Sequence, residues 1–151
     1  MSGGSLPTLP CACANLRRAA RAVTQLYDEA LRDTGLRATQ FTLLQVLSLR
    51  GETQQSQIGA MLATDSTTLT RTLAPLRARR WIRSRPGDDR RERYWSITEA
   101  GQRCLADARP AWETAQRRLK GRVGAERLSA LFRDLAEIAR VVPELMSDDG
   151  A

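Results

Sequence analysis

The 151-residue chain contains no histidine. That absence removes His-based triads, His-containing zinc sites and the usual general base near neutral pH. An enzyme reading therefore starts without a convergent constellation. Aromatic residues are scarce, at 5%, and leucine and alanine carry the apolar content, which favours helices over a β-sandwich. Cysteines number three, and no charged stretch followed by an apolar run opens the chain. This fits a reducing cytoplasm better than a disulfide scaffold, and no secretion leader is expected. No run is long and apolar enough to cross a bilayer, so no membrane partner is expected.

What is present is positive charge, unevenly placed. The net charge is +7. Residues 37–97 hold 11 arginines against 5 acids, whereas residues 98–151 hold 9 basic and 9 acidic residues. Nearly all the excess sits in one block. A focused basic patch suggests a polyanionic partner; the plain alternative is a solvated basic surface. Apolar content of 42% and this length predict one compact unit with a real core rather than a disordered chain.

Residues 1–10 are rich in Gly, Ser and Pro and read as a flexible tail. A first helix follows over about Cys11–Arg32, with Leu16, Ala19, Ala20, Val23, Tyr27, Ala30 and Leu31 on one stripe and Gly35 as its stop. Thr39 is placed to cap a second, central helix crowded by Phe41, Leu43, Leu44, Val46, Leu47 and Leu49. Gln54 or Gln55 opens a third helix, with Ile58, Met61 and Leu62 inward. Gly59 within it marks a close approach. Thr64 or Asp65 caps a fourth, with Leu69, Leu73, Leu76 and Trp81 buried, and Pro75 should bend it. Two strands, Trp81–Pro86 and Arg93–Ile97, flank a Gly-Asp-Asp turn. Thr98 caps a long helix that Pro110 should kink, Gly121 and Gly124 bracket a break, and a last helix runs from Ala125 to Met146.

The fold class expected is mainly α: a winged helix-turn-helix of six helices with a two-stranded β-wing. Residues 36–98 form the DNA-binding domain, and residues 11–35 and 99–147 form a helical dimerisation region. The fourth helix starts with small hydroxyl residues, which suits a major groove, and the arginine-rich turn suits a DNA backbone or minor groove. Double-stranded DNA and a second copy of the chain are the partners expected, although the surplus apolar stripe also fits a larger monomeric core.

Asp-Asp-Arg-Arg-Glu-Arg-Tyr-Trp-Ser-Ile-Thr-Glu-Ala-Gly at 88–101 resembles the wing signature of the MarR family of bacterial transcription regulators. That signature is an Asp-Arg pair, a strand, then Leu/Ile-Thr-x-x-Gly. Asp-Ser-Thr-Thr-Leu-Thr-Arg at 65–71 resembles the family's recognition helix. The resemblance covers about Asn15 to Met146. It implies a winged helix-turn-helix homodimer joined through its first, fifth and sixth helices, usually a repressor at palindromic operators. It further implies that Ser66, Thr67, Thr68, Thr70 and Arg71 face the major groove. Arg90 or Arg91 would reach the minor groove, oriented by Asp88 or Asp89. Arg85 joins the DNA-binding candidates, while Arg83, Arg85 and Arg93 read equally well as a solvated strand face. A protein-interaction module that keeps the winged helix without using it on DNA is the rival reading.

The cysteines stay open. Cys11 and Cys13 flank the start of the first helix, and Cys104 lies early in the fifth. Residues two apart on a helix point to nearly opposite sides, so Cys11 and Cys13 would chelate together only at a frayed start. A helix N-terminus and nearby Arg17 favour a thiolate. The spacing of Cys13 and Tyr27 resembles the organic-peroxide-sensing branch of the same family, but Arg17 stands where a second tyrosine is expected. Three thiols also suit a soft metal or metalloid such as arsenite, if folding gathers Cys11, Cys13 and Cys104. The bland reading is three small buried hydrophobes. No cofactor is required; the effector is an organic peroxide, arsenite or a soft metal, or a small organic ligand in an apolar pocket.

Overall fold

The computed structural model describes residues 7–89 and 91–148. Helix α1 (Ala12–Ala30) is followed by a single 3-10 turn over Arg32–Thr34, then α2 (Ala38–Arg50), strand β1 (Thr53–Gln54), α3 (Gln55–Met61) and α4 (Ser66–Ala78). Strands β2 (Ile82–Pro86) and β3 (Arg93–Ile97) form the wing, and α5 (Glu99–Val123) and α6 (Ala125–Asp148) close the chain. The winged helix-turn-helix with six helices is as expected.

The wing carries one strand more than the sequence suggests. β1 pairs antiparallel with β3, Thr53 opposite Trp95 and Gln54 opposite Tyr94, giving a three-stranded sheet in the order β1-β3-β2. Two residues are too few for an alternating pattern to be visible in sequence. β2 pairs with β3 from Ile82↔Ile97 to Pro86↔Arg93. Trp81 stays outside the strand, and outside the buried face of α4, because the chain turns there through Arg80 at φ 58.

Thr39 does not cap α2. The helix starts two residues earlier than a Thr39 cap implies, at Ala38, because α1 supplies the cap. Asp28 Oδ1 accepts from Ala38 N–H at 2.8 Å, and the Gln40 side chain accepts from Arg37 N–H at 3.0 Å. A cap delivered from a neighbouring helix leaves no local signature. Helix α1 ends at Ala30, and Gly35, at φ 74, takes the left-handed position that closes the 3-10 turn. α4 runs through Pro75 and α5 through Pro110, each remaining one helix.

The core lies between α2, α4, α5 and the sheet. Phe41, Leu43, Leu44 and Leu47 of α2 meet Ile58, Leu69, Leu73, Leu76, Ile82, Trp95, Leu105 and Ala108. Each fully buried leucine or isoleucine contributes about 1.5–3 kcal/mol, so this block fixes how α4 and the wing sit together. Leu49 and Met61, expected inward, are exposed at 86% and 41%. The outer helices behave differently. α1 has no buried residue, and α6 leaves Leu131, Phe132, Leu135, Ile138, Val142, Leu145 and Met146 exposed. No helix among the described residues is long and apolar enough to cross a membrane.

Candidate nucleic-acid interface

Asp65 sets the start of α4. Its Oδ1 accepts from the Thr68 backbone N–H at 2.9 Å and its Oδ2 from the Thr68 hydroxyl at 2.6 Å. These bonds, the hydroxyl's first, hold the Asp65 carboxyl below the usual carboxylate range. The turn into this cap is tight. Thr64 N–H reaches back to Gly59 C=O at 3.0 Å, and a Cβ on Gly59 would stand 3.2 Å from the Thr64 carbonyl oxygen. Gly59 thus serves the turn between the two helices.

With Leu69, Leu73 and Leu76 buried, the helical period presents Ser66, Thr67, Thr68, Thr70 and Arg71 outward, and all five are exposed. Their hydroxyls differ in state. Thr70 donates to Ser66 C=O at 2.7 Å, and Thr72 donates to Thr68 C=O at 3.1 Å. The side chains of Ser66, Thr67 and Arg71 make no hydrogen bond within the described residues.

The wing turn is held from inside. Asp89 Oδ1 accepts from Arg91 N–H at 2.9 Å, Asp89 C=O accepts from Glu92 N–H at 2.9 Å, and Gly87 N–H donates to Glu92 C=O at 2.9 Å. Asp89 therefore orients the arginine segment through the backbone, rather than by pairing with a described guanidinium. Arg90 lies outside the described residues. Arg91 and Arg93 line one side of a cleft of about 720 Å³ whose other walls include Gln55, Ser56 and Ser66. This cleft opens between the wing, the start of α3 and the start of α4.

Two residues that the sequence did not place at the interface, Gln55 and Glu52, tie these parts together. Gln55 accepts from the Trp95 indole N–H at 2.9 Å and donates to the Thr70 hydroxyl at 3.4 Å, linking wing strand to α4. Glu52 accepts from Arg85 Nε at 3.0 Å through each of its oxygens. The Arg85 guanidinium also lies 4.6 Å from the centre of the Tyr94 ring. Arg83 donates to the Ser96 hydroxyl at 3.1 Å and Arg93 to the Ser84 hydroxyl at 3.2 Å.

The thiols are dispersed. Cys11 caps α1 with its backbone, and Cys11 and Cys13 are exposed. Asn15 and Arg18 fold residues 7–10 back over this helix start, Asn15 donating to Leu9 C=O at 2.7 Å and Arg18 to Pro7 C=O at 2.9 Å. The tail expected at 1–10 is thus tethered at its end, while residues 1–6 lie outside the described residues. Cys104 is half-buried beside the core, and burial first, then the Asp107 charge, push its thiol pKa up. Among the described residues no three Cys, Asp or Glu side chains converge as a metal site, so one chain alone does not assemble the three-thiolate cluster. Tyr27 packs in an aromatic column, 6.4 Å from Trp112, which stacks at 5.5 Å on Phe41. Burial raises the Tyr27 pKa.

Residues 36–92 match the MarR family. Over 88 residues the chain is 28% identical to the uncharacterized HTH-type transcriptional regulator YwoH of Bacillus subtilis (strain 168), a match spanning 58% of this chain and 64% of that protein. Among solved structures it is similar to the transcriptional regulator MosR of M. tuberculosis in complex with DNA. That similarity has 36% identity and a TM-score of 0.80 over 89% of this chain and 98% of that one. A second crystal structure of MosR matches with 34% identity and a TM-score of 0.78, over 89% and 97% of the two chains.

Proposed function

The chain belongs to the MarR family, and from that premise we propose that this transcriptional regulator is a homodimeric repressor that binds a palindromic DNA operator. One observation carries the reading. Among the described residues, the exposed Ser66, Thr67 and Arg71 side chains of α4 make no internal hydrogen bond, and they stand beside a cleft edged by Arg91 and Arg93. Side chains that satisfy one another are poor DNA ligands; these are uncommitted, and they lie where a recognition helix and a wing would meet one duplex. The DNA in the MosR complex supports the same partner here.

In this reading residues 36–98 are the DNA-binding domain, with Ser66, Thr67, Thr68, Thr70 and Arg71 toward the major groove. Arg90 and Arg91 reach the flanking minor groove, with Asp89 setting the turn that carries them. Residues 11–35 and 99–147 form the dimerisation region. The exposed apolar side chains of α6 support this, because a contiguous apolar face of that kind marks an interaction surface. Release comes from a small molecule or a thiol-directed signal. The accessible Cys11 and Cys13 support the thiol route, since both are exposed at the same helix start.

The test is binding to the DNA upstream of the protein's own gene, followed by fluorescence anisotropy across a salt series. Operator binding should weaken steeply with salt, by roughly 0.9 in log–log slope per phosphate neutralised. Failure to bind, or a flat salt dependence, would move the protein to the interaction-module reading. Repeating the titration with reductant, organic peroxide and arsenite separates the candidate signals.

A further inference from the structure

The register of the wing sheet sorts its side chains onto two faces. Arg85 is opposite Tyr94, Arg83 opposite Ser96, and Gln54 opposite Tyr94, so Arg83, Arg85, Tyr94, Ser96 and Gln54 share one face. Two residues N-terminal to Gln54, Glu52 falls on that face as well, at the start of the outer strand β1. Trp95 and Arg93 project to the other face, where Arg93 edges the cleft beside α3 and α4. The Glu52 carboxylate and the Arg85 guanidinium therefore meet across the whole sheet. Glu52 stands at its β1 side, Arg85 comes from β2 on the far side, and the Tyr94 ring of the central strand lies beneath the guanidinium.

We infer that Glu52, Arg85 and Tyr94 form a strap that fixes the wing's pitch against the helix-turn-helix, making Glu52 and Arg85 positioning residues for DNA binding. The inference rests on the DNA-binding reading above and adds a different role for Arg85, which the sequence placed among the DNA contacts.

The chemistry favours this role. The Arg85 guanidinium shares its Nε–H between both Glu52 oxygens, gives one terminal nitrogen to Glu52 and the other to Pro86 C=O at 3.2 Å, and lays one face on the Tyr94 ring. Turning the whole group onto a phosphate would break the Glu52 pair and the ring contact. The pair also holds the Glu52 carboxyl below its usual range, chiefly through the Arg85 hydrogen bond. Glu52 follows Gly51 directly at the end of α2, the most central helix of the core, so the strap runs from that helix to the far strand of the wing. The wing tip and α4 must engage one duplex together, so an error in the angle between them lowers affinity without removing any contact.

The experiment compares Glu52→Gln, Arg85→Ala, Arg85→Lys, their double variants and the charge swap Glu52→Arg with Arg85→Glu. Each is measured for operator affinity across a salt series. Wild-type binding is the control for the DNA-binding reading itself; without it, that reading fails and the strap is judged by the second readout alone. If the strap holds, Glu52→Gln and Arg85→Ala each lose roughly two- to fivefold in affinity, with the salt slope unchanged. The double variant loses no more than either single, Arg85→Lys behaves like Arg85→Ala, and the swap restores binding. Hydrogen exchange on the free protein is the second readout: amides of β2 and β3 should lose protection in Glu52→Gln and regain it in the swap. Two results overturn the inference. In one, Arg85→Ala lowers the salt slope by about one while Glu52→Gln leaves affinity unchanged or tightens it, which makes Arg85 a phosphate contact. In the other, neither variant alters affinity or wing protection.

Discussion

Replacing Gly101 by alanine tests how the wing is joined to α5. An alanine Cβ there would lie 2.1 Å from the Trp81 carbonyl oxygen, 2.8 Å from Ile97 Cγ1 and 2.9 Å from the Trp81 carbonyl carbon. Ordinary contact needs more than an ångström beyond the first of these. The oxygen is not free to turn away, because it accepts from Thr98 N–H at 2.9 Å, and the Thr98 hydroxyl beside it gives its one proton chiefly to the neighbouring Arg80 C=O at 2.7 Å. That hydroxyl in turn caps α5 by accepting from Gly101 N–H at 3.1 Å. Overpacking a rigid site costs about 1–3 kcal/mol, and the upper end applies where backbone must move. Alanine's better helix propensity returns about 1 kcal/mol, leaving a net loss of about 2 kcal/mol. For a chain of this size that lowers the melting temperature by roughly 4–8 °C. Gly121 in the same helix is the control. A Cβ there meets nothing within 4 Å, so Gly121→Ala should stabilise by up to about 1 kcal/mol. Calorimetry of both variants at one protein concentration gives the answer. Melting of Gly101→Ala at or above the wild-type temperature would refute the reasoning.

Leu135→Asp and Leu131→Asp should turn a dimer into monomer at low micromolar concentration, because a charge buried in an apolar interface is costly. Light scattering reads this directly, and a monomeric wild type would remove the premise. Arg71→Ala and Arg90→Ala should each lose about 1–3 kcal/mol of operator affinity at fixed salt. Arg117→Ala, on exposed α5 surface away from the basic block, should lose little; equal losses at all three would contradict the assignment. Cys13→Ser should bind operator normally but stop responding to organic peroxide. A protein lacking Cys11, Cys13 and Cys104 that responds to peroxide and arsenite like wild type would show the thiols to be structural.

Much of this organisation is legible in sequence because it is written in local chemistry. Asp65 and Thr98 are caps that announce their helices, Gly124 ends α5, and Leu69, Leu73 and Leu76 repeat at the helical period, whereas Gly35 closes the 3-10 turn rather than α1 itself. The Thr-x-x-Gly of the wing signature gains a physical meaning in the Trp81 carbonyl packed on Gly101. What escaped is what depends on partners far along the chain. Asp28 caps α2 from nine or ten residues upstream, Glu52 meets Arg85 across 33 residues, and Gln55 meets Trp95 across 40. None of these leaves a periodic or compositional trace. Leu49 and Met61 failed for a related reason: apolar identity does not say which way a side chain faces when its helix is crowded with leucine.

Two outward hydroxyls of α4 are bonded back to their own helix, and in the proposed complex this would restrict what the helix can read. A threonine hydroxyl has one proton. Thr68 spends its proton on the Asp65 carboxylate and Thr70 on the Ser66 carbonyl. Phosphate oxygens, guanine O6 and thymine O4 all require a donor, so neither hydroxyl serves them while those bonds last. What remains on each oxygen is a lone pair, and the major-groove groups that seek one are the exocyclic amines of adenine and cytosine. In the proposed complex this row of hydroxyls would therefore be polarised: Thr68 and Thr70 would accept from amino groups, and Arg71, Ser66 and Thr67 would hold the protons that can be offered to guanine or to the backbone.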